Sequence, residues 1–382
     1  MLLQRLRRRN MEKVDISKLK REDFAKELPQ MVQQLDAYRQ GSQNKKPVDI
    51  TLGELTTGKW GITQDELFEK LDINPKIDTM ENIFTMPQQD VRWIVPEIIR
   101  SAITLGMRQA PFYPEIIASD QSISGLSAIM PMINMSDAAP AKVNEAETIP
   151  LGDVSFGQKS VSLFKIGKGF KLTDEVRNYV SLDVLAIYLR DFGVQLGYAM
   201  DTLAMDVVIN GNKPDGSESA PVIGVYETTN GITYKDLLHI WVRAARMGRN
   251  FTTMIGGEDQ AIEMLNLPEF KERHSGTTEA TLNVKSPVPK NANFYIHPGT
   301  PDQGLLLIDT TAALIKLTAK QLMLESERIV SNQTQAIYAT LTTGFSKMYQ
   351  DAALILSAEK KFTEFGFPEF MNIDPYLLVN LE

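Results

Sequence analysis

One stretch of this chain, GELTTGK at residues 53–59, has the spacing of a phosphate-binding loop. In such a loop two glycines and a lysine cradle phosphate, and a Ser or Thr directly after the lysine holds Mg²⁺. Here Trp60 and Gly61 follow the lysine, whereas the loop lysine normally begins a helix. Thr63 and Glu66 form a capping-box pattern, which predicts that the next helix begins only at this point. We therefore expect a polar turn over residues 53–59.

The remaining groups that could take part in catalysis are few and scattered. The chain has three histidines, His239, His274 and His297, and no cysteine. The histidines lack the spacing of a zinc site, and the lack of cysteine excludes thiolate ligands, a thiol nucleophile and disulfides. Glu145 and Glu147 alternate onto one face of an extended segment, where pairing with a neighbouring subunit's Lys or Arg is favoured over an acid pair for catalysis. We expect no metal, no cofactor and no enzymatic activity.

The composition is that of a soluble globular protein of two or three domains. Of the 382 residues, 43% are hydrophobic and 23% charged, and the formal net charge is −8. A dedicated nucleic-acid binder is usually basic, because phosphate neutralisation supplies most of its affinity. Residues 1–21 differ, with eight positive side chains against two negative ones, and are either a solvated terminus or a contact for DNA or an acidic partner. No apolar run approaches the ~18 residues of a membrane span.

The strongest helical signal covers residues 182–210, where apolar residues recur every three or four positions. Ser181 is placed to cap the start of this helix, and Gly211 is placed to end it in a left-handed conformation. At ~1.5 Å per residue the helix would be roughly 43 Å long, about the width of a domain, so we expect a structural spine. Gly193 and Gly197 either let another backbone approach closely or are simply tolerated.

Residues 140–172 alternate as extended strands do, and Pro150 and Gly157 break them into a hairpin. This hairpin has little apolar mass of its own, so we expect it to lie on another surface. Periodicity and turn residues also predict helices in 22–40, 63–71, 93–107, 234–247 and 258–265, strands at 252–255 and 305–309, and a hairpin of 327–330 with 336–341.

The long helix follows the hairpin with its Glu145–Pro150 segment, ends in Asn210-Gly211, and is followed by Pro-x-x-Gly at residues 221–224. In this order, between Trp93 and Asp351, the elements resemble the major capsid proteins of tailed phages, which have the Hong Kong 97-type fold. The resemblance implies an α+β fold with an N-terminal arm, an extended hairpin loop, a peripheral domain with a long spine helix, and an axial domain.

The resemblance also implies a division of the chain into six segments. These are an N-terminal extension (1–85), the N-arm with the first peripheral segment (86–139), the extension-loop hairpin (140–172), the peripheral domain with the spine helix (173–232), the axial domain (233–324), and the peripheral strands with the C-terminal segment (325–382).

The function implied by the resemblance is that of a structural protein. Such a subunit self-assembles into hexamers and pentamers of an icosahedral shell around phage double-stranded DNA, in the host bacterial cytoplasm, and ends in the virion. Its expected partners are copies of itself, portal and scaffolding or decoration proteins, and packaged DNA by non-specific contact, with no membrane. The interface residues expected are Glu145, Glu147, Phe156, Lys159, Lys165, Lys168, Arg328 and Asn332.

Two alternatives remain open from the sequence. An encapsulin-type nanocompartment shares the fold and packages a protein cargo. A nucleotide-binding enzyme would use the lysine of residues 53–59.

Overall fold

The computed structural model describes residues 50–86, 89–123, 125, 127–130, 159–213, 215–228, 231–267, 293–301 and 303–368, together with a few helical residues between 32 and 39. The structure is α+β and divides into two compact units. Unit 1 comprises Met1–Pro111, Phe164–Met200 and Thr318–Thr343; unit 2 comprises Phe112–Leu163, Asp201–Leu317 and Gly344–Glu382. The six-segment division drawn from the sequence stays a prediction.

The regular elements of the described residues are numbered here in chain order. The helices are Leu52–Leu55 (α1), Gln64–Leu71 (α2), Met80–Thr85 (α3), Ile94–Gln109 (α4), Asp174–Tyr179 (α5), Leu182–Asn210 (α6), Tyr234–Arg246 (α7) and Glu258–Asn266 (α8). The strands are Ile117–Ser122 (β1), Ser127–Met130 (β2), Lys159–Ser162 (β3), Phe164–Thr173 (β4), Val222–Val225 (β5), Thr253–Gly256 (β6), Asn293–Ile296 (β7), Gly304–Ile308 (β8), Leu314–Ile329 (β9), Thr334–Lys347 (β10) and Ala353–Lys361 (β11).

The strands form a four-stranded sheet in the order β1-β9-β10-β4, a five-stranded sheet in the order β5-β11-β8-β6-β7, and the pair β2-β3. In unit 1, β4 runs antiparallel to β10, from Thr173 opposite Thr334 to Phe164 opposite Thr343. The five-stranded sheet belongs to unit 2, and its strand β8 is buried along its whole length. An uninterrupted apolar run such as Leu305–Ile308 suits a strand that is covered on both faces.

In unit 2, helix α7 covers the five-stranded sheet with one apolar face. Leu237, Ile240 and Trp241 of this helix belong to a buried cluster that includes the sheet residues Leu307 and Leu356. Thr233 and Asp236 form a capping box at the helix start. Because Leu237, Ile240 and Trp241 recur at helical spacing, they lie on one side of α7, and that side faces the core.

Within unit 1, the long helix α6 crosses α4 so closely that no side chain fits between the two backbones at the crossing. A Cβ built on Gly106 would lie 3.0 Å from the Cα of Gly193 and would overlap the carbonyl oxygen of Arg190. A Cβ on Gly193 would in turn overlap the carbonyl oxygen of Ile103. Of the two readings of Gly193 left open by the sequence, close backbone approach is therefore the correct one.

Helix α6 is 29 residues long. It is long and apolar enough to span a membrane, but 56% of its apolar 18-residue stretch is buried inside the protein. Burial on this scale is what the core helix of a globular protein shows. The helix contributes Leu182–Met200 to unit 1 and its last turns to unit 2.

The end of α6 is fixed within unit 2 by a buried lysine. Lys347 donates from Nζ to the carbonyl oxygens of Val208 and Glu218, each at 3.0 Å. Its backbone N–H donates to Oδ1 of Asn212 at 3.0 Å. A cation at the C-terminus of a helix also meets the negative end of the helix dipole. Lys347 therefore attaches the last turn of α6 to β10.

A buried ion pair holds part of the N-terminal region against α4 in unit 1. The Arg39 guanidinium donates to both carboxylate oxygens of Glu97, at 2.9 and 2.7 Å. It also donates to the carbonyl oxygen of Ile50, at 3.3 Å from Nε and 3.0 Å from NH2. Breaking such a pair leaves an uncompensated buried charge, which costs roughly 3–5 kcal/mol. The described residues around Arg39 are thus tied to the α4 helix.

Several elements predicted from the sequence are confirmed. The spine helix has the predicted limits, and Gly211 follows it with φ +77°. The capping box at Thr63 and Glu66 begins α2. The predicted terminal hairpin is present but longer, with β9 and β10 joined by a 3₁₀ turn at Val330–Asn332. Of the helix predicted over 22–40, the residues described between 32 and 39 are helical and the others lie outside the described residues.

The polar turn expected over residues 53–59 is wrong, because this stretch is helical. A second capping box begins α1: the Thr51 N–H donates to Oε2 of Glu54 at 2.9 Å, and the Glu54 N–H donates to the Thr51 hydroxyl at 3.3 Å. A π-helical turn follows over Thr56–Trp60 and ends at Gly61. Lys59 therefore lies at the end of helical turns, opposite to its place in a P-loop.

The described part of the predicted 140–172 hairpin has partners outside that range. Strand β3 pairs with β2, which puts Val161 opposite Ala128. Strand β4 pairs with β10, where Gly167 leaves room for the side chain of Thr340. Alternation within a strand does not identify its partner, so the sequence pattern could not reveal this pairing. Residues 140–158 lie outside the described residues.

The crossing of α4 and α6 generates a stability prediction. In an open helix Gly→Ala stabilises by up to about 1 kcal/mol, because alanine has the higher helix propensity. At the crossing the added methyl must separate two backbones, so Gly193→Ala should instead destabilise unit 1 by about 1–3 kcal/mol. Thermal and urea unfolding measure the change.

Ala199→Ser, at an exposed position of the same helix, is the matched control and should stay within about 0.5 kcal/mol of wild type. A stabilised Gly193→Ala variant would show that the helices do not meet at this residue.

A buried carboxyl in unit 2 generates a second prediction. Asp201 is 2% exposed and accepts hydrogen bonds from the backbone N–H groups of Tyr113 at 2.8 Å and Phe112 at 3.3 Å. Burial raises the pKa of Asp201 from 3.8 to about 6, and the two backbone donors offset this only in part. The folded state therefore binds the proton of the Asp201 carboxyl more tightly than the unfolded state does. The free energy of unfolding consequently falls as the pH rises from about 4 to 6.

Asp201→Asn should raise the free energy of unfolding near pH 7 by about 1–3 kcal/mol, because the amide can still accept a backbone N–H but cannot ionise. Near pH 3 the gain should disappear, because the wild-type carboxyl is then largely protonated in both the folded and the unfolded state. Urea unfolding at the two pH values gives the comparison. An equal effect of the substitution at both values would contradict the assigned pKa shift.

Candidate subunit interface

The interface residues expected from the sequence fall into three groups. Glu145, Glu147 and Phe156 lie outside the described residues. Lys159 begins β3, where its backbone lies opposite Met130 of β2. Lys165, Lys168, Arg328 and Asn332 are all exposed and belong to unit 1.

The two lysines lie on β4, the edge strand of the four-stranded sheet. The ammonium of Lys168 contacts Oε1 of Gln195 and lies 5.4 Å from the centroid of the Phe192 ring. Both contacts are with α6 of the same chain, so this lysine packs over its own spine helix. Lysines along an edge strand also discourage uncontrolled strand pairing.

Arg328 and Asn332 lie at the closed end of the β9–β10 hairpin. Arg328 donates to Oδ2 of Asp174, the first residue of α5, at 3.0 Å. The Asp174 N–H donates to the carbonyl oxygen of Gln333 at 3.1 Å, beside Asn332 in the turn. The structure therefore brings these two predicted residues together, and an exposed ion pair of this kind contributes roughly 0–1 kcal/mol.

A set of large apolar side chains that the sequence pattern did not predict as an interface is exposed around the start of α6. Leu182 donates its N–H to the carbonyl oxygen of Asp78 at 3.0 Å, and Asp183 donates to Pro75 at 2.9 Å, which places the 75–78 loop beside the first turn of α6. The set, called the apolar face below, consists of Ile77, Tyr179, Val184, Ile187 and Tyr188.

The degree of exposure distinguishes the apolar face from ordinary surface residues. Tyr179 is 83% exposed, Ile77 71% and Tyr188 69%. Single exposed apolar residues are normal, but a group of large ones on adjoining elements marks an interaction surface. Covering one such side chain completely is worth about 1.5–3 kcal/mol. The apolar face can therefore stabilise a complex with a partner that excludes water from it.

One signal for this face was present in the sequence. The buried stripe of α6 includes Leu185, Leu189 and Leu196, and Val184, Ile187 and Tyr188 lie beside it on the helix surface. A surface helix of a monomer is normally polar outside its buried stripe. Apolar residues on both sides of a helix therefore indicate a second partner.

Among the described residues, the titratable groups with shifted pKa values lie in unit 2. Two of them, His297 and Tyr295, make hydrogen bonds and ring contacts with neighbouring residues. Burial lowers the pKa of His297, whose Nδ1 accepts the N–H of Gly299 at 2.9 Å. Burial and the Glu115 carboxylate raise the pKa of Tyr295, whose hydroxyl donates to Glu115. Both rings pack on Phe112, with centroids 5.8 and 5.1 Å away. Within the described ranges no group of three or more metal-binding side chains occurs.

No protein-family model and no curated protein matches the sequence. The solved structures that match include a virus-like particle, the capsid of a GTA particle and several phage structures. A virus-like particle from Pyrococcus furiosus is 11% identical with a TM-score of 0.45, over 68% of this chain and 98% of that chain.

The capsid of a native GTA particle is 12% identical with a TM-score of 0.48, over 66% of this chain and 89% of that chain. Mycobacterium phage Cain gives 11% identity and a TM-score of 0.44, over 65% and 90% of the two chains. At these values the likeness concerns the fold alone.

Proposed function

We propose that this chain is a structural shell protein whose copies associate through the apolar face into hexamers and pentamers of an icosahedral capsid. The apolar face carries the proposal, because three of its five large exposed side chains, Val184, Ile187 and Tyr188, lie on one long, well-packed helix and the other two adjoin its start. A surface on such an element is held in one geometry, which a repeating contact between many copies requires.

The surroundings of the apolar face support an interface with a polar rim. Asp183, Arg190 and Asp191 are exposed on the same helix and flank the apolar side chains. Protein interfaces combine an apolar centre with such a rim. A ring of five or six copies needs a heterologous contact, in which the apolar face of one copy meets a different surface of the next.

The cargo and partners follow from the same proposal. The shell encloses phage double-stranded DNA by non-specific contact, assembles in the bacterial cytoplasm with portal and scaffolding or decoration proteins, and has a structural rather than an enzymatic role. The formal net charge of −8 suits a container that does not grip its nucleic acid tightly. In the encapsulin-type alternative the purified particles would contain a protein cargo in place of DNA.

Charge on the apolar face should prevent assembly without unfolding the subunit. We expect Ile187→Asp combined with Tyr188→Asp to lower the association constant by roughly tenfold or more, because a carboxylate buried without a partner costs several kcal/mol. Both positions are exposed in the subunit, so its circular dichroism and unfolding midpoint should change little. Sedimentation velocity measures association.

Ile262→Asp is the matched control, since this residue is 65% exposed on α8 and lies outside the apolar face. It should assemble as wild type does. A folded double variant that assembles normally would contradict the role assigned to the apolar face.

A further inference from the structure

Helix α7 in unit 2 has an outer face that is also partly apolar. Its inner residues pack on the five-stranded sheet, whereas Leu238 and Val242 point outward, Val242 with 63% of its surface exposed. Three of the four charged residues of this helix are positive, namely Lys235, Arg243 and Arg246. The fourth, Asp236, is acidic and buried. The outer face of α7 thus combines apolar side chains with positive charge.

The chain leaves the described structure directly beside this face. The ring of Phe367 lies 5.4 Å from the ring of His239 and 5.8 Å from the guanidinium carbon of Arg243. His239 and Arg243 are one turn apart on α7. In the sequence His239 directly follows Leu238, and Arg243 directly follows Val242. The described residues end at Pro368, so the next segment of chain begins next to the outer face.

The composition of residues 369–382 complements that surface. The segment contains no lysine or arginine, and its charged residues are Glu369, Asp374 and Glu382. More than half of it is apolar, namely Phe370, Met371, Ile373, Tyr376, Leu377, Leu378, Val379 and Leu381. An apolar and acidic segment fits an apolar and basic helix face by both burial and charge.

The length of the segment is sufficient for it to cover the helix. An extended chain spans up to ~3.3–3.6 Å per residue, so 14 residues reach roughly 45 Å. The 13 residues of α7 extend over only about 20 Å. Residues 369–382 can therefore run along the whole outer face, starting from the contact of Phe367.

We propose that residues 369–382 dock on the outer face of α7 of the same chain, covering Leu238 and Val242. This contact is intramolecular and goes beyond the shell function, because it makes no use of the apolar face on α6. It shields an apolar surface of unit 2 in the unassembled subunit.

Thiol labelling tests the proposal directly, because the chain has no cysteine and each introduced thiol is the single one present. Val242→Cys reports on the covered surface, and Ile262→Cys is a control of nearly equal exposure, 63% against 65%. We expect Val242→Cys to react about tenfold more slowly than Ile262→Cys in the full chain, each rate being normalised to the same protein in denaturant.

The charges near the two thiols favour the opposite order. Positive neighbours such as Arg243 and Arg246 lower a thiol pKa and speed its reaction, whereas Glu258, Asp259 and Glu263 of α8 slow it. Slow labelling at position 242 therefore reports on coverage.

Adding Leu377→Asp and Leu378→Asp to the Val242→Cys protein should restore fast labelling, with the fold checked by circular dichroism. Three results would overturn the proposal: rates at the two positions within about twofold of each other, protection that survives the two aspartates, or protection that is lost when the unassembled protein is diluted. The last result would assign the cover to a second copy of the chain.

Discussion

Backbone contact between α4 and α6 is the constraint on which unit 1 depends. Gly106 and Gly193 face each other so closely that neither position has room for a methyl group. The contact determines which side of α6 is buried, and so which side is left outside. Val184, Ile187 and Tyr188 lie on the side that remains exposed. The candidate interface is therefore a consequence of how two helices pack inside one subunit.

Within each unit, a buried charge fixes a position where apolar packing alone would allow sliding. Arg39 and Glu97 attach N-terminal residues to α4, and Lys347 attaches the end of α6 to β10. Each of these groups has specific oxygen or nitrogen partners, and a buried ion is costly in any arrangement that loses them. A subunit that must present one surface repeatedly benefits from such fixed registers.

The sequence was informative where a pattern is local. The spacing of apolar residues and Gly211 define α6, and Thr63 with Glu66 begins α2, because helix periodicity and capping depend on neighbouring residues. The partners of β3 and β4 could not be predicted, since strand pairing is decided by distant parts of the chain. The apolar face was missed for a related reason. Ile77 comes from a distant segment, which the hydrogen bonds of Leu182 and Asp183 place beside α6 only in the folded chain.

Electron microscopy of the purified full chain, expressed alone and negatively stained, tests the central claim most directly. The proposal that α6 presents an interface predicts rings of five or six copies, tubes or closed shells. Particles that contain DNA would support a capsid, and particles that contain a protein cargo would support a nanocompartment. A strictly monomeric protein at every salt and protein concentration would contradict the claim that the apolar face is sufficient for association.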